Sequence, residues 1–378
     1  MYVRQKHLDN LKTLLRPGKV IVVYGAWRTG KTTLVQEFLK GETKPYLLVN
    51  GEDITIQSHL SCQSIEKLKA FVGKHRLLVV DEAQKVHDIG LNLKLIVDHV
   101  PGIRIIATGS SSFDLARRIG EPLTGRKTTL IQYPLAQMEI GDLEKSHQTE
   151  ARLESRLVYG SYPEIVLMED ERERQQYLKE IVSSYLYKDI LELEGIRHSS
   201  KIGKLLQLLA LQIGKEVSYT ELGTSLGLSK NTVDNYLGLL EKAFVIQRLG
   251  GFRRNLRNEI TKNSRYFFVD TGVRNALINN FNPLELRNDV GELWENYLVM
   301  ERFKRQEYLR ESAKNYFWRT YTKNELDLVE DRNCRLFGYE MKWGKARPRP
   351  PKEWSTAYPD AEWQVINREN YLPFIGCR

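Results

Sequence analysis

The first third of the chain alternates short, wholly apolar runs with amphipathic stretches. "VIVVY" (20–24), "LLVVD" (77–81) and "RIIATG" (104–109) are each followed by a stretch of helical period. That pattern predicts buried strands feeding helices, and hence a parallel sheet covered on both faces. From about 141 to 198 the pattern is predominantly helical, as in "RERQQYLKEIVSSYLYKDILEL". Residues 201–251 then give one amphipathic helix, "KIGKLLQLLALQIG", and a short second one, "SYTELGTSLGL". The third, "SKNTVDNYLGLLEKAF", has Ser229 as its N-cap, and the strands "VIQRLGGF" and "SRYFFVD" flank a basic loop after it. In the last hundred residues "DVGELWENYLVMERFKR" is a helix with Leu293, Trp294, Tyr297 and Leu298 on its packing stripe. Three strand-like runs follow within "NYFWRTYTKNELDLVEDRNCRLFGYEMKW".

The predicted class is α/β, divided at 1–140, 141–198, 199–278 and 279–378. A length of 378 residues agrees with roughly two to four domains. The 41% hydrophobic and 28% charged content describes a folded chain. Cys62, Cys334 and Cys377 have no metal-ligand spacing and suit a reducing, cytoplasmic setting. Neither a signal peptide nor a bilayer-spanning run is expected. The formal charge of +9 fits a polyanionic partner, nucleic acid first (DNA or another), or equally plain solubility.

Chemistry concentrates where the strands end. After "VIVVY", Gly25, Ala26, Trp27, Arg28, Thr29, Gly30, Lys31, Thr32 and Thr33 carry the G-x-x-x-x-G-K-[ST] spacing of a P-loop. Backbone N–H groups and the helix start would cradle the phosphates of ATP. Lys31 is expected at the β- and γ-phosphates, and the Thr32 hydroxyl on Mg²⁺. The second strand ends in Asp81, the expected partner of that Mg²⁺, and Glu82, placed to deprotonate the attacking water, the alternative being a helix N-cap and its first-turn acid. The third ends in Thr108, Gly109 and Ser110, where Thr108 and Ser110 could touch the γ-phosphate or simply cap a turn.

"VVYGAWRTGKTTL", "LLVVDEAQ", "IIATGSSSF", "LTGRKTTLIQYPLAQMEI" and "YGSYPEIV" together resemble a family of prokaryotic AAA-type ATPases with a C-terminal domain of unknown function. The usual P-loop there reads G-P-R-x-x-G-K-T, and this chain has Ala26 and Trp27 at the Pro and Arg positions. The resemblance implies a helical lid over 141–198, with Pro163 shaping the turn into it. It also makes Arg126 a candidate γ-phosphate sensor or finger arginine, the alternative being a surface arginine, and a homo-oligomer is then possible.

Helix, helix, turn, helix and β-wing over 199–278 is the winged helix-turn-helix order, a fold used for DNA contact or for protein packing. The third helix would present Lys230, Asn231, Thr232 and Asn235. The wing loop carries Arg253, Arg254, Arg257, Lys262 and Arg265 against a single acid, Glu259. In the last part, a helix acid, Glu295, precedes a strand acid, Asp327, a turn at "EDRN" and the E-x-K triplet Glu340 and Lys342. That layout is similar to the restriction-endonuclease-like PD-(D/E)xK fold. Asp327 and Glu340, with Glu295, would hold Mg²⁺ or Mn²⁺, and Lys342 would polarise water. The alternative is an internal salt bridge in a fold kept for binding. "GKARPRPPKEW" reads as a loop beside a nucleic-acid groove or a solvated linker. The functional expectation is an ATP-hydrolysing protein whose nucleotide state controls a DNA-facing C-terminal half, with nuclease activity or as a pure switch.

Overall fold

The computed structural model describes residues 2–109, 123–186, 199–252, 264–320, 322, 324–346 and 348–377. They fall into two compact units, Tyr2–Pro134 with Lys242–Phe244, and Leu135–Glu241 with Val245–Arg378. Among the described residues no helix is long and apolar enough to cross a membrane.

The first unit is built on β1 (Lys19–Tyr24), β2 (Tyr46–Asn50), β3 (Leu77–Asp81), β4 (Arg104–Gly109) and β5 (Lys127–Ile131). They form one parallel sheet in the order β2-β3-β4-β1-β5. Consecutive strand residues face opposite sides, so β1 feeds two cores. Val20, Val22 and Tyr24 pack with Leu78, Val80 and Ile105, while Ile21 and Val23 pack with Leu34, Leu77 and Ile106. A strand buried on both faces must be apolar throughout, which is why these runs are continuous rather than alternating.

The second unit contains β6 (Glu216–Val217), β7 (Ile246–Gly251), β8 (Ser264–Phe268), β9 (Lys314–Arg319), β10 (Glu325–Arg332), β11 (Arg335–Met341) and β12 (Glu362–Ile366). These make a single seven-stranded sheet, β12-β11-β10-β9-β7-β8-β6. The segments 199–278 and 279–378 thus share a sheet, joined where Gly250 and Gly251 of β7 pair with Tyr316 and Phe317 of β9. The helices Ser199–Leu211, Tyr219–Leu226 and Lys230–Lys242 lie where the sequence pattern puts them. Ser229 caps the third, its Oγ accepting from the Thr232 N–H at 3.1 Å. β6 had no signal in the sequence because it is only two residues long; it pairs with β8, Glu216 opposite Arg265.

The helices Ser146–Tyr159 and Pro163–Leu167, in the segment expected as a lid, belong to this second unit. Pro163 sits at the start of its helix, where its missing N–H costs nothing. Asn275 donates to the carbonyls of Leu157 and Val158, and Thr271 to that of Arg156, fastening the first of these helices to Thr271–Leu277. The close approach explains two glycines. A Cβ at Gly160 would lie 2.0 Å from Asp270 Oδ1, and one at Gly272 would lie 2.1 Å from the Tyr159 carbonyl oxygen.

The turn between β10 and β11 is tighter than "EDRN". Asn333 and Cys334, at φ 52° and 60°, form it, and Glu330 to Arg332 belong to β10. The basic, Pro-rich tail ends in a packed helix. Pro351 starts the helix Lys352–Ala357, and Trp354 packs into a cluster with Trp318, Leu326 and Val329.

Candidate functional site

In the first unit the loop after β1 leads into the helix Lys31–Lys40 through Gly30. Gly25 is fixed by space, since a Cβ there would meet the Gln132 carbonyl oxygen at 2.1 Å. Gly30 has φ +90°, a left-handed conformation that turns the backbone N–H groups inward. Thr29 is buried and donates to the Ala26 carbonyl at 2.8 Å, while Gln5 Nε2 donates to the Thr29 carbonyl at 3.1 Å. Gln5 is a loop support that no motif signals, because it lies 24 residues upstream. Trp27 stacks under the Arg28 guanidinium, 4.2 Å from ring centre to Cζ. Thr33 is exposed beside Thr32 at the helix start.

Lys31 is buried, and its Nζ donates to the carbonyls of Gly25 at 3.0 Å and Ala26 at 2.8 Å. Thr32 Oγ1 donates to Asp81 Oδ2 at 2.8 Å, and Thr108 Oγ1 donates to the other carboxylate oxygen. The Thr108 hydroxyl in turn accepts the Glu82 N–H at 3.2 Å. Glu82 itself takes the left-handed conformation, φ 50° and ψ 42°, which is costly for a residue with a Cβ. Gly51 allows that turn, since a Cβ there would sit 2.5 Å from the Glu82 carbonyl oxygen. The ends of three strands and the P-loop therefore meet as the sequence predicts. Ser110 lies outside the described residues.

Arg126 lies away from the phosphate site of its own chain, as the surface-arginine alternative has it. It precedes β5, whose Lys127 pairs with Val20 near the start of β1, whereas the P-loop follows the end of β1. At that opposite edge of the sheet its Nε is 2.7 Å from Asp98 Oδ1, so within this chain it does not line the phosphate site.

In the second unit the hairpin sets Leu328 opposite Tyr339, which brings Asp327 beside Glu340. Asp327 Oδ2 accepts the Met341 N–H at 2.7 Å, and Lys342 Nζ is 2.6 Å from Glu340 Oε1. The helix Val290–Tyr308 supplies Glu295. Burial, then the charge of Glu340, pushes the Asp327 carboxyl up to about 6. Burial and the neighbouring Asp327 hold Glu295 well above the usual carboxylate range. Burial works against the charge of Lys342, but Glu340, Asp327 and Glu295 together raise its pKa.

The expected metal set is thus drawn together, but around a protein cation. Arg265, expected in the wing loop as a phosphate contact, is instead buried on β8. Its Nη2 is 2.8 Å from Glu325 Oε2, and its Nη1 is 3.4 Å from Glu295 Oε1 and 3.9 Å from Asp327 Oδ1. Among the described residues no three His, Cys, Asp or Glu side chains are gathered as a metal ion requires. The clue in the sequence was period: an arginine inside "SRYFFVD" is committed to a strand, and there it must find acids. Arg253, Arg254, Arg257, Lys262 and Glu259 lie outside the described residues.

Leu135 and Gln137 of "YPLAQME" and Ser161 of "YGSYPEIV" are bonded within the second unit. Lys304 Nζ donates to the Leu135 carbonyl at 3.1 Å and pairs with Glu301 at 2.7 Å. Glu301 accepts the Gln137 N–H, and Asp270 the Ser161 N–H, both at 2.7 Å.

Three family models match: an AAA domain over residues 17–141, a domain of unknown function (DUF8612) over 150–284 and a domain of unknown function (DUF4143) over 290–373. An uncharacterized protein of Mycobacterium bovis is 26% identical over 345 residues, 90% of this chain and 74% of that one. One of Methanocaldococcus jannaschii is 25% identical over 380 residues, covering 95% and 83%. Among solved structures, a signal transduction ATPase with a tetratricopeptide repeat sensor from Pyrococcus horikoshii is 15% identical at a TM-score of 0.28. It covers 80% of this chain, which spans 45% of that one. Drosophila ORC bound to AT-rich DNA and Cdc6 is 12% identical at a TM-score of 0.27, covering 72% and 90%. Scores this low carry no inference about the second unit. The AAA-domain match over residues 17–141 and the P-loop geometry coincide on the same strands, which supports ATP binding and hydrolysis there.

Proposed function

We propose that the protein is an ATP-driven switch, in which hydrolysis in the first unit governs a DNA-facing second unit. The observation that carries this reading is the group formed by Lys31, Thr32, Asp81 and Thr108 at the strand ends. Lys31 rests on two loop carbonyls and would exchange them for β- and γ-phosphate oxygens. Thr32 and Asp81, 2.8 Å apart, suit a Mg²⁺ ion that would neutralise phosphate charge. Glu82 would take the proton of the water that attacks the γ-phosphorus, and the bond electrons would leave with ADP. Thr108, bonded to both Asp81 and the Glu82 backbone, couples the metal ligand to the base.

The DNA-facing reading is supported by the order helix, strand, helix, helix, strand, strand over 199–268, which suits a winged helix. Lys230, Asn231 and Asn235 are exposed near the start of the third helix, as a groove contact requires. The order helix, three antiparallel strands, helix and a parallel strand over 290–366 suits the restriction-endonuclease-like fold. Nuclease activity is the second reading, favoured by Asp327 beside Glu340 and Lys342. The guanidinium among those acids favours the switch.

The test is ATP turnover with and without DNA, using Lys31→Ala and Glu82→Gln. DNA-stimulated turnover lost in both variants supports the reading; turnover indifferent to DNA overturns the coupling. Mg²⁺- or Mn²⁺-dependent cleavage of plasmid or single-stranded DNA that Lys342→Ala removes would establish the nuclease instead.

A further inference from the structure

The acidic cluster of the second unit combines carboxylates from two structural sources, Glu295 from a helix and Glu325, Asp327 and Glu340 from strands. Three of them, Glu295, Glu325 and Asp327, surround a side chain from a third source, Arg265 of β8, while Glu340 pairs with Lys342. The guanidinium is nearly inaccessible, with 5% of its side-chain surface exposed. Its Cζ stands 4.6 Å from the centre of the Phe317 ring. Its Nε is buried and has no hydrogen-bond partner among the described residues. A surface arginine would turn that donor to water; this one leaves it unsatisfied while both Nη atoms serve carboxylates.

We infer that Arg265 takes the seat of a divalent cation, so that the cluster is a latent metal site closed by the chain's own guanidinium. A hard divalent ion needs carboxylate oxygens at about 2.0–2.6 Å from one point. Here the oxygens stand 2.8 to 3.9 Å from separate nitrogens of a planar fork, which is guanidinium geometry. The two occupants exclude each other. A divalent ion placed among these oxygens would lie about 4 Å or less from a fixed positive charge in a poorly solvated site, where repulsion is strong. No pH change relieves it, because an arginine keeps its proton throughout the range in which proteins fold. Lys342, bonded to Glu340 and partly exposed, adds a second cation of the chain itself. The metal expected from Glu295, Asp327 and Glu340 therefore does not fit the site as folded. The acids are there because Arg265 and Lys342 compensate them.

This inference goes beyond the switch reading and does not depend on it, since its readout involves neither ATP nor DNA. Free Mn²⁺ would be followed by electron paramagnetic resonance in titrations of nucleotide-free protein. Four proteins are compared: the unchanged chain, Asp327→Asn, Arg265→Met and the double variant Arg265→Met with Asp327→Asn. The unchanged chain and Asp327→Asn should bind Mn²⁺ identically. Arg265→Met, which keeps bulk and removes charge, should gain one further Mn²⁺ per chain, at least about tenfold tighter than any site it had before. The double variant should lose that ion. Terbium luminescence excited through Trp294, next to Glu295 in the chain, should rise only in Arg265→Met. Two outcomes overturn the inference: Mn²⁺ bound by the unchanged chain and lost in Asp327→Asn, or a folded Arg265→Met that gains none. If Arg265→Met does not fold, the first pair still decides, and Arg265→Lys, which restores a cation, should fold without gaining the ion.

Discussion

Both units hold a buried cation and acids, but they satisfy them differently. Lys31 rests on carbonyl oxygens, and Asp81 accepts from the hydroxyls of Thr32 and Thr108. Bonds with one neutral partner are modest, and a phosphate with its metal can replace them. Arg265 rests on carboxyl groups, and the guanidinium itself is shielded from water even where Glu325 reaches the surface. A site that holds its charges against neutral groups is ready for a charged ligand. A site that holds them against each other is closed.

The comparison is broken most directly at Lys31. Lys31→Ala should lower ATP turnover by about 10²–10³-fold, or roughly 3–4 kcal/mol in the barrier. Denaturation of the second unit, followed by its own probes, should not move. Retained turnover would mean that the readiness argued for the P-loop is wrong. The next largest effect belongs to another closed pair, Arg302 and Glu330, joined by two bonds of 2.5 and 2.8 Å and both buried. Arg302→Met strands a buried carboxylate and should cost about 3–5 kcal/mol in urea unfolding. Adding Glu330→Met should recover most of that loss, because the buried carboxylate goes with its partner. Arg332, which also stands 3.4 Å from Glu330, is half-buried and can turn to solvent. A double variant no more stable than the single one would show that geometry, not charge, carries the cost.

The two sites also differ in how far the sequence discloses them. The P-loop is legible because its donors are consecutive backbone groups and its acids end apolar strands, all local patterns. Gln5 is not, since its support of the Thr29 carbonyl is set by the fold alone. In the second unit the acids were legible from period and spacing, but their partner was not. Arg265 reaches Glu295 and Glu325 across 30 and 60 residues of sequence, on a strand whose basic surroundings suggested a solvated loop. Glu330 was misread for a related reason: a polar run near a turn looks exposed until the turn is seen to lie at Asn333 and Cys334. Nor does periodicity disclose the β7 to β9 pairing, which rests on two residue pairs.

Asp270 sharpens the comparison with an acid held by neutral donors yet fully enclosed. Burial raises its pKa above the ordinary carboxylate range, although the backbone N–H groups of Ser161, Val273 and Gly272 and the charge of Lys304 oppose this. The folded protein therefore keeps this proton over a pH window in which the unfolded chain has released it. Its contribution to stability is present below the ordinary aspartate pKa of about 4 and is lost as pH rises toward the folded value. Unfolding free energies measured across that window should decline for the unchanged chain. Asp270→Asn, which can still accept a backbone N–H, should flatten the decline; an unchanged slope would assign it elsewhere.

The smallest effect is expected where the same chemistry is left in water. Arg335 Nη2 stands 2.7 Å from Glu362 Oε1, as close as the buried pairs, but both side chains are more than half exposed. Distance alone would give Arg335→Ala the weight of Arg302→Met. Solvent screening and the entropy of two long side chains predict about 0–1 kcal/mol instead, reduced further by salt. Both arginines serve the same sheet, Arg335 on β11 and Arg302 through its bond to Glu330 of β10, so urea unfolding of the two variants reads burial against contact in one background. A loss at Arg335 as large as that at Arg302 would mean that enclosure is not what closes the second unit's charges, and would weaken the reading of Arg265 with it.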